Sequence, residues 1–199
     1  MKKRNLKIAI TGPPAAGKST VLKIFEEMGY PVFSADKVVH HLSRPCQKGY
    51  HLVIKELGNA FLKENKEIDR RKLLKAMLVD YKVKKTLEDI FHPLVKEELL
   101  KWIKKEKNSD ILAAEIPLLY QAGWENFFDQ IIFVTCGEEI LLKRLIDRLK
   151  DKNLAQKLIK SYQVQPRKTD FIIKTEADID MIKNMLLDFI KNRKPRNFV

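Results

Sequence analysis

A short stretch near the start of the chain has the residue types and spacing of a phosphate-binding loop. Residues 12–20 read Gly-Pro-Pro-Ala-Ala-Gly-Lys-Ser-Thr and fit the pattern G-x-x-x-x-G-K-[ST]. Such a loop surrounds a nucleoside polyphosphate with backbone N–H groups, while its lysine reaches the β- and γ-phosphates and its serine ligates Mg²⁺. We therefore expect Lys18 to contact phosphate, Ser19 to hold the metal ion and Thr20 to lie near the α-phosphate. The other candidate phosphate-binding residues of the loop are Gly12, Ala15, Ala16 and Gly17.

The segments on either side of this loop support the motif, because a phosphate loop joins a strand to a helix. Residues 6–11 are mostly apolar and predict a buried strand. Residues 21–28 place Leu22, Phe25 and Met28 at helical spacing. A chance match in a lysine-rich chain is the alternative, and the strand–loop–helix context argues against it. The motif indicates phosphate binding without indicating which reaction follows.

An aspartate follows the second predicted strand. Residues 30–34 read as a short strand, and Asp36 comes directly after it. Ligands of an open parallel sheet bind beyond the carboxyl ends of its strands, so this carboxylate would point toward the same crevice as the phosphate loop. It could accept the proton of a substrate hydroxyl or orient that hydroxyl. The alternative, that Ser34 or Asp36 only caps a helix over residues 37–42, is equally open on spacing alone.

A glutamate lies near the end of the third predicted strand. Residues 111–116 are almost wholly apolar, as a central parallel strand should be, and Glu115 is the exception. A carboxylate at this place could act near Mg²⁺, where phosphate-loop proteins usually carry an acid. A buried strand-end glutamate without a metal role is the alternative.

Two arginines lie one helical turn apart on a predicted amphipathic helix over residues 138–149. Arg144 and Arg148 can therefore share one side of that helix. Arginines on a mobile helix can stabilise a transferring phosphoryl group. Surface arginines with no catalytic role are the alternative.

The rest of the chain alternates between helical and strand patterns. Residues 50–107 predict helices and no strand, with a capped helix start at Asp69. Pro93 either kinks one helix there or begins a second one. The other predicted elements are strands over 130–135 and 169–173, a helix over 154–162 that Gln165-Pro166 ends, a closing helix over 179–190 and a frayed tail from 192.

Composition limits the classes of protein that remain. The 199 residues are 45% hydrophobic, which is enough for one domain with a packed core. Lys and Arg outnumber Asp and Glu by 39 to 26, and the formal net charge of +13 favours polyanionic partners. Because the basic residues are spread along the whole chain, a solvated lysine-rich surface is the simpler interpretation. A nucleic-acid-binding protein is the alternative.

Cysteine and histidine spacing gives no metal or redox motif. Cys46 and Cys136 lie far apart, and the histidines show no H-E-x-x-H pattern. No apolar stretch is long enough for a signal peptide or a membrane span. We therefore expect a soluble, cytoplasmic protein with reduced thiols.

Taken in order, these segments resemble the dephospho-coenzyme A kinase family, from residue 7 to about 190. No one of the short motifs is specific, but their order and spacing together are. Besides the phosphate loop, the motifs are Phe33-Ser34-Ala35-Asp36 for the family's D-A-D, Asp69-Arg70-Arg71-Lys72-Leu73 for D-R-x-x-L, Phe91-His92-Pro93-Leu94-Val95 for H-P and two apolar residues, Ile116-Pro117-Leu118-Leu119 for V-P-L-L, Leu142-Lys143-Arg144 with Arg148 for the lid helix, and Asp170-Phe171-Ile172-Ile173 for D-x-V-I.

The resemblance implies a P-loop kinase fold, which is a three-layer α/β sandwich with a five-stranded parallel sheet, a helical acceptor-binding insertion and a helical lid. It implies a single domain over residues 1–199. Within that domain the core would take in about 6–48, 109–137 and 168–191, the insertion about 49–108, and the lid about 138–167.

The resemblance also implies the reaction, in which ATP with Mg²⁺ phosphorylates the ribose 3′-hydroxyl of dephospho-CoA as the last step of CoA synthesis. Asp36 would be the base or orienting group. Lys18 and Arg144 would stabilise charge on the transferred group, with Arg148 supporting them on ATP. Ser19, with Glu115 behind it, would hold the metal ion. The residues expected to hold the acceptor are Asp36, His92, Pro117, Leu118, Leu119 and Tyr120. No nucleic acid or membrane partner is expected.

The chain departs from the family pattern at three places. The family loop is usually richer in glycine, G-G-I-G-S-G-K-S, whereas residues 13–16 here are Pro-Pro-Ala-Ala, and the Gly-Pro-Pro start is more like adenylate kinase. Residues 163–170 look shorter than the family's segment. Thr175-Glu176 replaces the usual Asn-Gly after the fifth strand, which weakens any inference about adenine contacts there. The rival interpretations are therefore another nucleotide or nucleoside kinase, and a nucleotide-binding regulator without catalysis.

Overall fold

Five short segments pair into one parallel sheet in the part of the chain that the structure describes. The computed structural model describes residues 5–162 and 169–192. The strands are β1 (Leu6–Thr11), β2 (Val32–Ser34), β3 (Ile111–Glu115), β4 (Gln130–Thr135) and β5 (Phe171–Lys174). They lie in the order β2-β3-β1-β4-β5, and each neighbouring pair is parallel. The expected five-stranded parallel sheet is confirmed.

Helices connect these strands, as parallel pairing requires. Those before β3 are α1 (Lys18–Glu27), α2 (Ala35–Leu42), α3 (Lys48–Leu57), α4 (Arg70–Met77) and α5 (Tyr81–Lys105). Those after β4 are α6 (Glu138–Leu149), α7 (Lys152–Ser161) and α8 (Ile179–Lys191). Short 3-10 turns occur at Asn59–Phe61 and Glu125–Phe127.

The chain divides into two compact units, one of Ala35–Trp102 and one of Met1–Ser34 with Ile103–Val199. The second of these, which we call the core unit, contains the sheet. Its central strands are apolar runs because both of their faces are buried; every residue of β3, for example, is buried. Side chains of α1, α6 and α8 pack with the strands in one hydrophobic cluster, which includes Phe25, Leu141 and Leu186.

The other unit, Ala35–Trp102, which we call the helical unit, has a hydrophobic cluster of its own. Phe91 and Leu94 of α5 pack there with Val53 of α3. Helix α3 starts close to its neighbours, since a Cβ atom on Gly49 would lie 2.8 Å from the Leu42 carbonyl oxygen and 2.8 Å from the Phe91 ring. The helical unit begins at Ala35, whereas the sequence-based expectation placed the start of the insertion at about residue 49.

Most predicted elements lie where the sequence pattern put them, and the differences have local causes. Strand β2 begins at Val32 instead of residue 30, because the Tyr30 N–H closes the end of α1 by donating to the Phe25 carbonyl (3.1 Å). Pro93 lies within a single helix, α5, and starts no new one. Asp69 caps α4 as expected and accepts from the Lys72 N–H.

The break at Gln165-Pro166 and most of the shortened segment 163–170 lie outside the described residues. The tail beyond residue 192 also lies outside them.

Gly12, directly after β1, is the glycine with the least room for a side chain. Its φ is 142°, and a Cβ atom there would lie 2.0 Å from the Val134 carbonyl oxygen of β4. We expect Gly12→Ala to lower the free energy of unfolding by about 3 kcal/mol or more, because a backbone clash adds to a strained φ. Gly29→Ala is the matched control: its φ is 82°, but nothing lies within 4 Å, so we expect a loss of only about 1 kcal/mol. Urea unfolding of the two variants measures both values, and equal losses would contradict the steric explanation.

Candidate active site

The loop between β1 and α1 has the backbone geometry of an anion-binding turn. Gly12 and Gly17 have φ of 142° and 96°, and Ala15 also lies in the left-handed region with φ of 64°. The loop follows β1 at the point where β3 lies on one side of the strand and β4 on the other. That is the topological switch point at which ligands of open parallel sheets bind.

Several N–H groups of this loop are available to an anion. Within the described residues, the N–H groups of Ala15, Gly17 and Ser19 donate to no acceptor, whereas that of Ala16 donates to the Pro13 carbonyl (3.2 Å). Helix α1 starts at Lys18, and its first turn carries no acidic side chain. No acidic side chain of the helix itself therefore competes with a ligand for the positive end of α1.

Lys18 is buried, with 7% of its surface exposed, and its side chain turns back onto its own loop. The ammonium group donates to the carbonyl oxygens of Gly12 (3.0 Å) and Pro13 (2.8 Å). Burial of a charge is tolerated because these oxygens solvate it. The lysine is thus held beside the N–H groups, at the place where the motif expects a phosphate contact.

Ser19 and Glu115, predicted separately from the sequence, lie side by side. The Ser19 hydroxyl donates to Oε1 of Glu115 (3.1 Å), and the Ser34 hydroxyl donates to Oε2 (3.1 Å). Strand pairing places Glu115 in register with Ser34 of β2 on one side and with Ile10 of β1 on the other. The phosphate loop and α1, which carries Ser19, follow β1 directly. A hydroxyl backed by a carboxylate that is 97% buried fits a Mg²⁺ ion, which prefers oxygen ligands.

Arg144 of α6 contacts the phosphate loop by donating to a backbone carbonyl oxygen of the loop. Its guanidinium donates to the Ala15 carbonyl (3.3 Å), to the Thr175 hydroxyl (3.1 Å) and to the Thr175 carbonyl (3.2 Å). The Cys136 sulfur lies 3.6 Å from the same guanidinium. Burial raises the pKa of the Cys136 thiol, while Arg144 opposes that rise. The thiol is therefore neutral at pH 7.

Arg148 and Thr20 are exposed. Within the described residues, the Arg148 side chain makes no hydrogen bond or ion pair. The structure thus brings Arg144, but not Arg148, into contact with the loop.

The turn after β3 lies beside the end of β1. The Thr11 hydroxyl donates to the Pro117 carbonyl (3.4 Å), and the Tyr120 and Thr169 hydroxyls share a hydrogen bond of 2.9 Å. Pro117, Leu118 and Tyr120 are partly exposed, whereas Leu119 is fully buried and fills the core. Leu119 can therefore shape this turn, but its side chain offers no surface to a ligand.

Tyr162, at the end of α7, was not selected from the sequence. Its hydroxyl faces the Thr11 hydroxyl and the Gly12 backbone, with Tyr120 nearby. Burial raises its pKa to about 12, and the hydroxyl makes no hydrogen bond of good geometry within the described residues. A neutral donor therefore lies near the start of the phosphate loop.

Asp36 and His92 belong to the helical unit. Asp36 is exposed in the first turn of α2. It faces Arg70, since the carboxylate raises the pKa of that guanidinium against a larger lowering by burial. Arg70 and Arg44 in turn lower the pKa of His40. Arg70 therefore lies within electrostatic reach of both Asp36, in the first turn of α2, and His40, in its last turn.

His92 is half-buried on α5. Burial lowers its pKa, and Lys85 adds to that effect, while Glu88 and Asp89 oppose it. The imidazole is neutral at pH 7, so it can contact an acceptor by hydrogen bonding but not as a cation.

Residues 5–162 and 169–192 contain no cluster of three His, Cys, Asp or Glu side chains able to hold a metal ion. In the same residues no helix combines the length and the apolar character needed to cross a bilayer.

A loop of this sequence at the switch point of a parallel sheet, with its serine beside a buried acid, defines the class of P-loop kinases. The family profile described as Dephospho-CoA kinase matches residues 6–180. The chain belongs to the dephospho-CoA kinase family. The sequence-based expectations of this family and of an ATP-dependent kinase are both confirmed.

Individual relatives agree with the family assignment. The dephospho-CoA kinase of Fusobacterium nucleatum is 33% identical over 177 residues, which cover 87% of this chain and 91% of that protein. The dephospho-CoA kinase of Carboxydothermus hydrogenoformans is 32% identical over 193 residues, 94% of each chain. The solved dephospho-CoA kinase of Campylobacter jejuni is 26% identical with a TM-score of 0.58, covering 94% of this chain and 96% of the other.

Three residues at the site escaped selection from the sequence. Ser34 and Tyr162 contribute hydroxyl groups, and Thr175 contacts Arg144 and the loop. A signal existed for two of them, since Ser34 stands in the family's D-A-D segment and Thr175 in place of its asparagine. Nothing in the local pattern distinguishes Tyr162 from an ordinary apolar helix position.

Ala15 adopts a left-handed conformation that a residue with a Cβ atom rarely takes. We expect Ala15→Gly to leave the free energy of unfolding unchanged or to raise it by about 1 kcal/mol, because relief of the strained φ outweighs the extra entropy of glycine. Ala16→Gly is the matched control, since Ala16 is fully buried and has no positive φ. It should lower the free energy of unfolding by about 1–2 kcal/mol. Thermal unfolding compares the two, and equal destabilisation would contradict strain at Ala15.

Proposed function

We propose that this protein transfers the γ-phosphoryl group of ATP to the ribose 3′-hydroxyl of dephospho-CoA, giving coenzyme A and ADP. The observation that carries the proposal is the paired geometry of Ser19 and Glu115 beside the phosphate loop, in a chain of this family. The protein acts in the cytoplasm on small molecules, without nucleic acid, and this step completes CoA synthesis.

Phosphate binding is the task of the loop. The N–H groups of Ala15, Gly17 and Ser19, with the start of α1, provide donors for the β- and γ-phosphates. Lys18 can exchange the carbonyl oxygens of Gly12 and Pro13 for phosphate oxygens. The loop would also accept GTP phosphates, so the choice of ATP depends on base contacts elsewhere.

Ser19 and Glu115 are the residues that would hold Mg²⁺, the serine directly and the glutamate behind it. The bound ion neutralises charge on the β- and γ-phosphates. Because the carboxylate already accepts from both Ser19 and Ser34, the serine oxygen is held with a lone pair free for a ligand.

Asp36 is proposed as the group that accepts or orients the proton of the acceptor hydroxyl. It follows β2 directly and lies at the start of α2, where it is exposed to a ligand. Arg70 and Arg44 provide positive charge in the same unit, suited to the diphosphate of dephospho-CoA. His92, as a neutral donor or acceptor, and the turn of Pro117 to Tyr120 are proposed to hold the rest of the acceptor.

Arg144 and Arg148 are proposed to place positive charge on the transferred group. Arg144 would act from its place against the loop, and Arg148 would approach from the exposed side of α6. Charge supplied where it develops in the transition state lowers the barrier without further reorganisation.

The first experiment is a coupled ADP-release assay with Mg²⁺-ATP. It compares dephospho-CoA with AMP, CMP, adenosine and no acceptor. We expect turnover with dephospho-CoA alone. Turnover with AMP or CMP instead would identify a nucleotide kinase, which the Gly-Pro-Pro start of the loop resembles. ATP binding without turnover on any acceptor would favour a non-catalytic regulator.

Asp36→Asn should lower kcat by about 10²–10⁴-fold and leave ATP affinity unchanged, because a positioned base contributes that much to proton transfer. Asp180→Asn is the matched control, since Asp180 is also an exposed aspartate in the first turn of a helix, α8. It should keep normal kcat. Steady-state kinetics with titration calorimetry measures both quantities, and near-normal kcat for Asp36→Asn would refute the base assignment.

Closure of a lid over bound nucleotide should slow amide hydrogen exchange in residues 140–162. A non-hydrolysable ATP analogue should protect this segment, because lid closure sequesters the phosphates from water. The control segment is α8, which should exchange at the same rate with and without the analogue. Unchanged exchange in residues 140–162 at saturating analogue would contradict a lid.

A further inference from the structure

The turn after β5 is hydrogen-bonded to the phosphate loop across a long stretch of sequence. The Thr175 hydroxyl donates to the Ala16 carbonyl at 2.7 Å. The same hydroxyl accepts from Arg144 (3.1 Å), whose other nitrogen donates to the Thr175 carbonyl (3.2 Å). The Thr175 N–H donates to the Thr135 carbonyl of β4 (2.9 Å), so the turn is fixed to the sheet.

Thr175 also packs directly against the loop. A Cβ atom on Gly17 would lie 3.0 Å from the methyl carbon of Thr175. The side chain therefore supports Gly17 through its methyl group while its hydroxyl holds the Ala16 carbonyl. Two contacts to consecutive residues leave the peptide between them little freedom.

The orientation of that peptide decides where its N–H points. A trans peptide is planar, and its C=O and N–H point in opposite directions. Because Thr175 holds the Ala16 carbonyl, the N–H of Gly17 must point away from Thr175. This is one of the loop N–H groups that donates to no acceptor within the described residues.

The turn is also tied to the start of helix α6. The Gly137 N–H, at the N-cap of α6, donates to the Glu176 carboxylate at 2.5 Å. Helix α6 carries Arg144, which donates to the Ala15 carbonyl at 3.3 Å. Thr175, Glu176 and Arg144 thus form one hydrogen-bonded group, and it contacts both alanine carbonyls of the loop.

The composition of this loop makes such support necessary. Pro13 and Pro14 offer no N–H groups, so fewer donors remain than in a glycine-rich loop. Ala15 takes a φ of 64°, which costs about 1–2 kcal/mol for a residue with a Cβ atom. A loop with few donors and a strained residue needs external contacts to keep the remaining N–H groups in place.

We propose that Thr175 is a positioning residue for the phosphate loop: its hydroxyl orients the Ala16–Gly17 peptide so that the Gly17 N–H meets the phosphates of ATP. This role deepens the proposed function, and it rests on that function only in taking a nucleoside triphosphate as the ligand. Thr175 acts through the loop and does not itself contact the phosphates.

The test removes the hydroxyl while keeping the shape of the side chain. Thr175→Val should weaken the binding of Mg²⁺-ATP about tenfold, since the Ala16 carbonyl loses its donor. Thr175→Ser restores the hydroxyl and should bind within about twofold of the wild type. Thr86→Val is the matched control, a partly buried threonine in the helical unit, and it should leave ATP affinity unchanged. Titration calorimetry on the full chain measures all four proteins.

Measuring the affinity for inorganic tripolyphosphate, which has no base, distinguishes an effect on phosphate binding from an effect on base binding. Under the proposal, Thr175→Val weakens tripolyphosphate and ATP by the same factor. Weaker ATP binding with normal tripolyphosphate binding would place Thr175 at the adenine and overturn the proposal. Equal affinities of wild type and Thr175→Val for both ligands would overturn it as well.

Stability and kinetics exclude a general structural effect. Under the proposal, Thr175→Val raises KM for ATP without changing KM for dephospho-CoA, and thermal unfolding of Thr175→Ser matches the wild type. If Thr175→Val does not fold, Thr175→Ala, which adds no bulk, is measured in the same way. A rise in both KM values together would indicate global damage and contradict the proposal.

The outcome is independent of the acceptor. ATP and tripolyphosphate binding are measured without dephospho-CoA, and the identity of the acceptor is decided by the ADP-release assay on the wild type. If the wild type phosphorylates AMP instead and Thr175→Val still weakens tripolyphosphate binding, the proposed function fails and the role of Thr175 stands. If dephospho-CoA is the acceptor and Thr175→Val binds both ligands normally, only the role of Thr175 fails.

Discussion

The hydrogen bonds of the buried Glu115 carboxylate hold the phosphate loop in its place in the core unit. Only 3% of the surface of Glu115 is exposed. A carboxylate buried to this extent needs hydrogen-bond donors from the protein to replace the water that it has lost. Ser19 and Ser34 provide those bonds from two separate segments, the start of α1 and the end of β2. Losing either hydroxyl would leave an oxygen of a buried charge short of a partner. The acid therefore holds the beginning of α1 in a fixed place on the sheet, and the phosphate loop is fixed with it.

A second constraint is the supply of N–H groups. A polyphosphate is best bound by donors that are already oriented, since little ordering is then required on binding. In this chain the orientation does not come from glycines alone, because two loop positions are prolines and one strained position is an alanine. It comes from contacts outside the loop, at Thr175 and Arg144. The loop is thus completed by residues far away in sequence.

The sequence predicts the fold well because apolar runs and capping residues act locally. The bounds of β1 and β4 follow from mostly apolar segments, and the start of α4 follows from Asp69. The start of β2 was missed because the Tyr30 N–H is taken by the end of α1, which a propensity pattern does not show.

The site could be predicted only in part, and for a physical reason. Lys18, Ser19 and Glu115 lie at strand ends and in a motif, so topology alone brings them together. The bond from Thr175 to Ala16 joins residues 159 positions apart and depends on the register of β4 and β5. No local pattern encodes that register. The packing of Tyr162 near Gly12 is hidden for the same reason.

The position of Lys18 has a consequence for which anions the protein retains. Its ammonium is already solvated by two loop carbonyls, so an incoming anion gains only the difference between phosphate and carbonyl oxygens. For orthophosphate, with a single tetrahedral group, that difference is small. A triphosphate engages several donors at once and collects the gain from each of them. We therefore expect the loop to bind a triphosphate much more tightly than free orthophosphate.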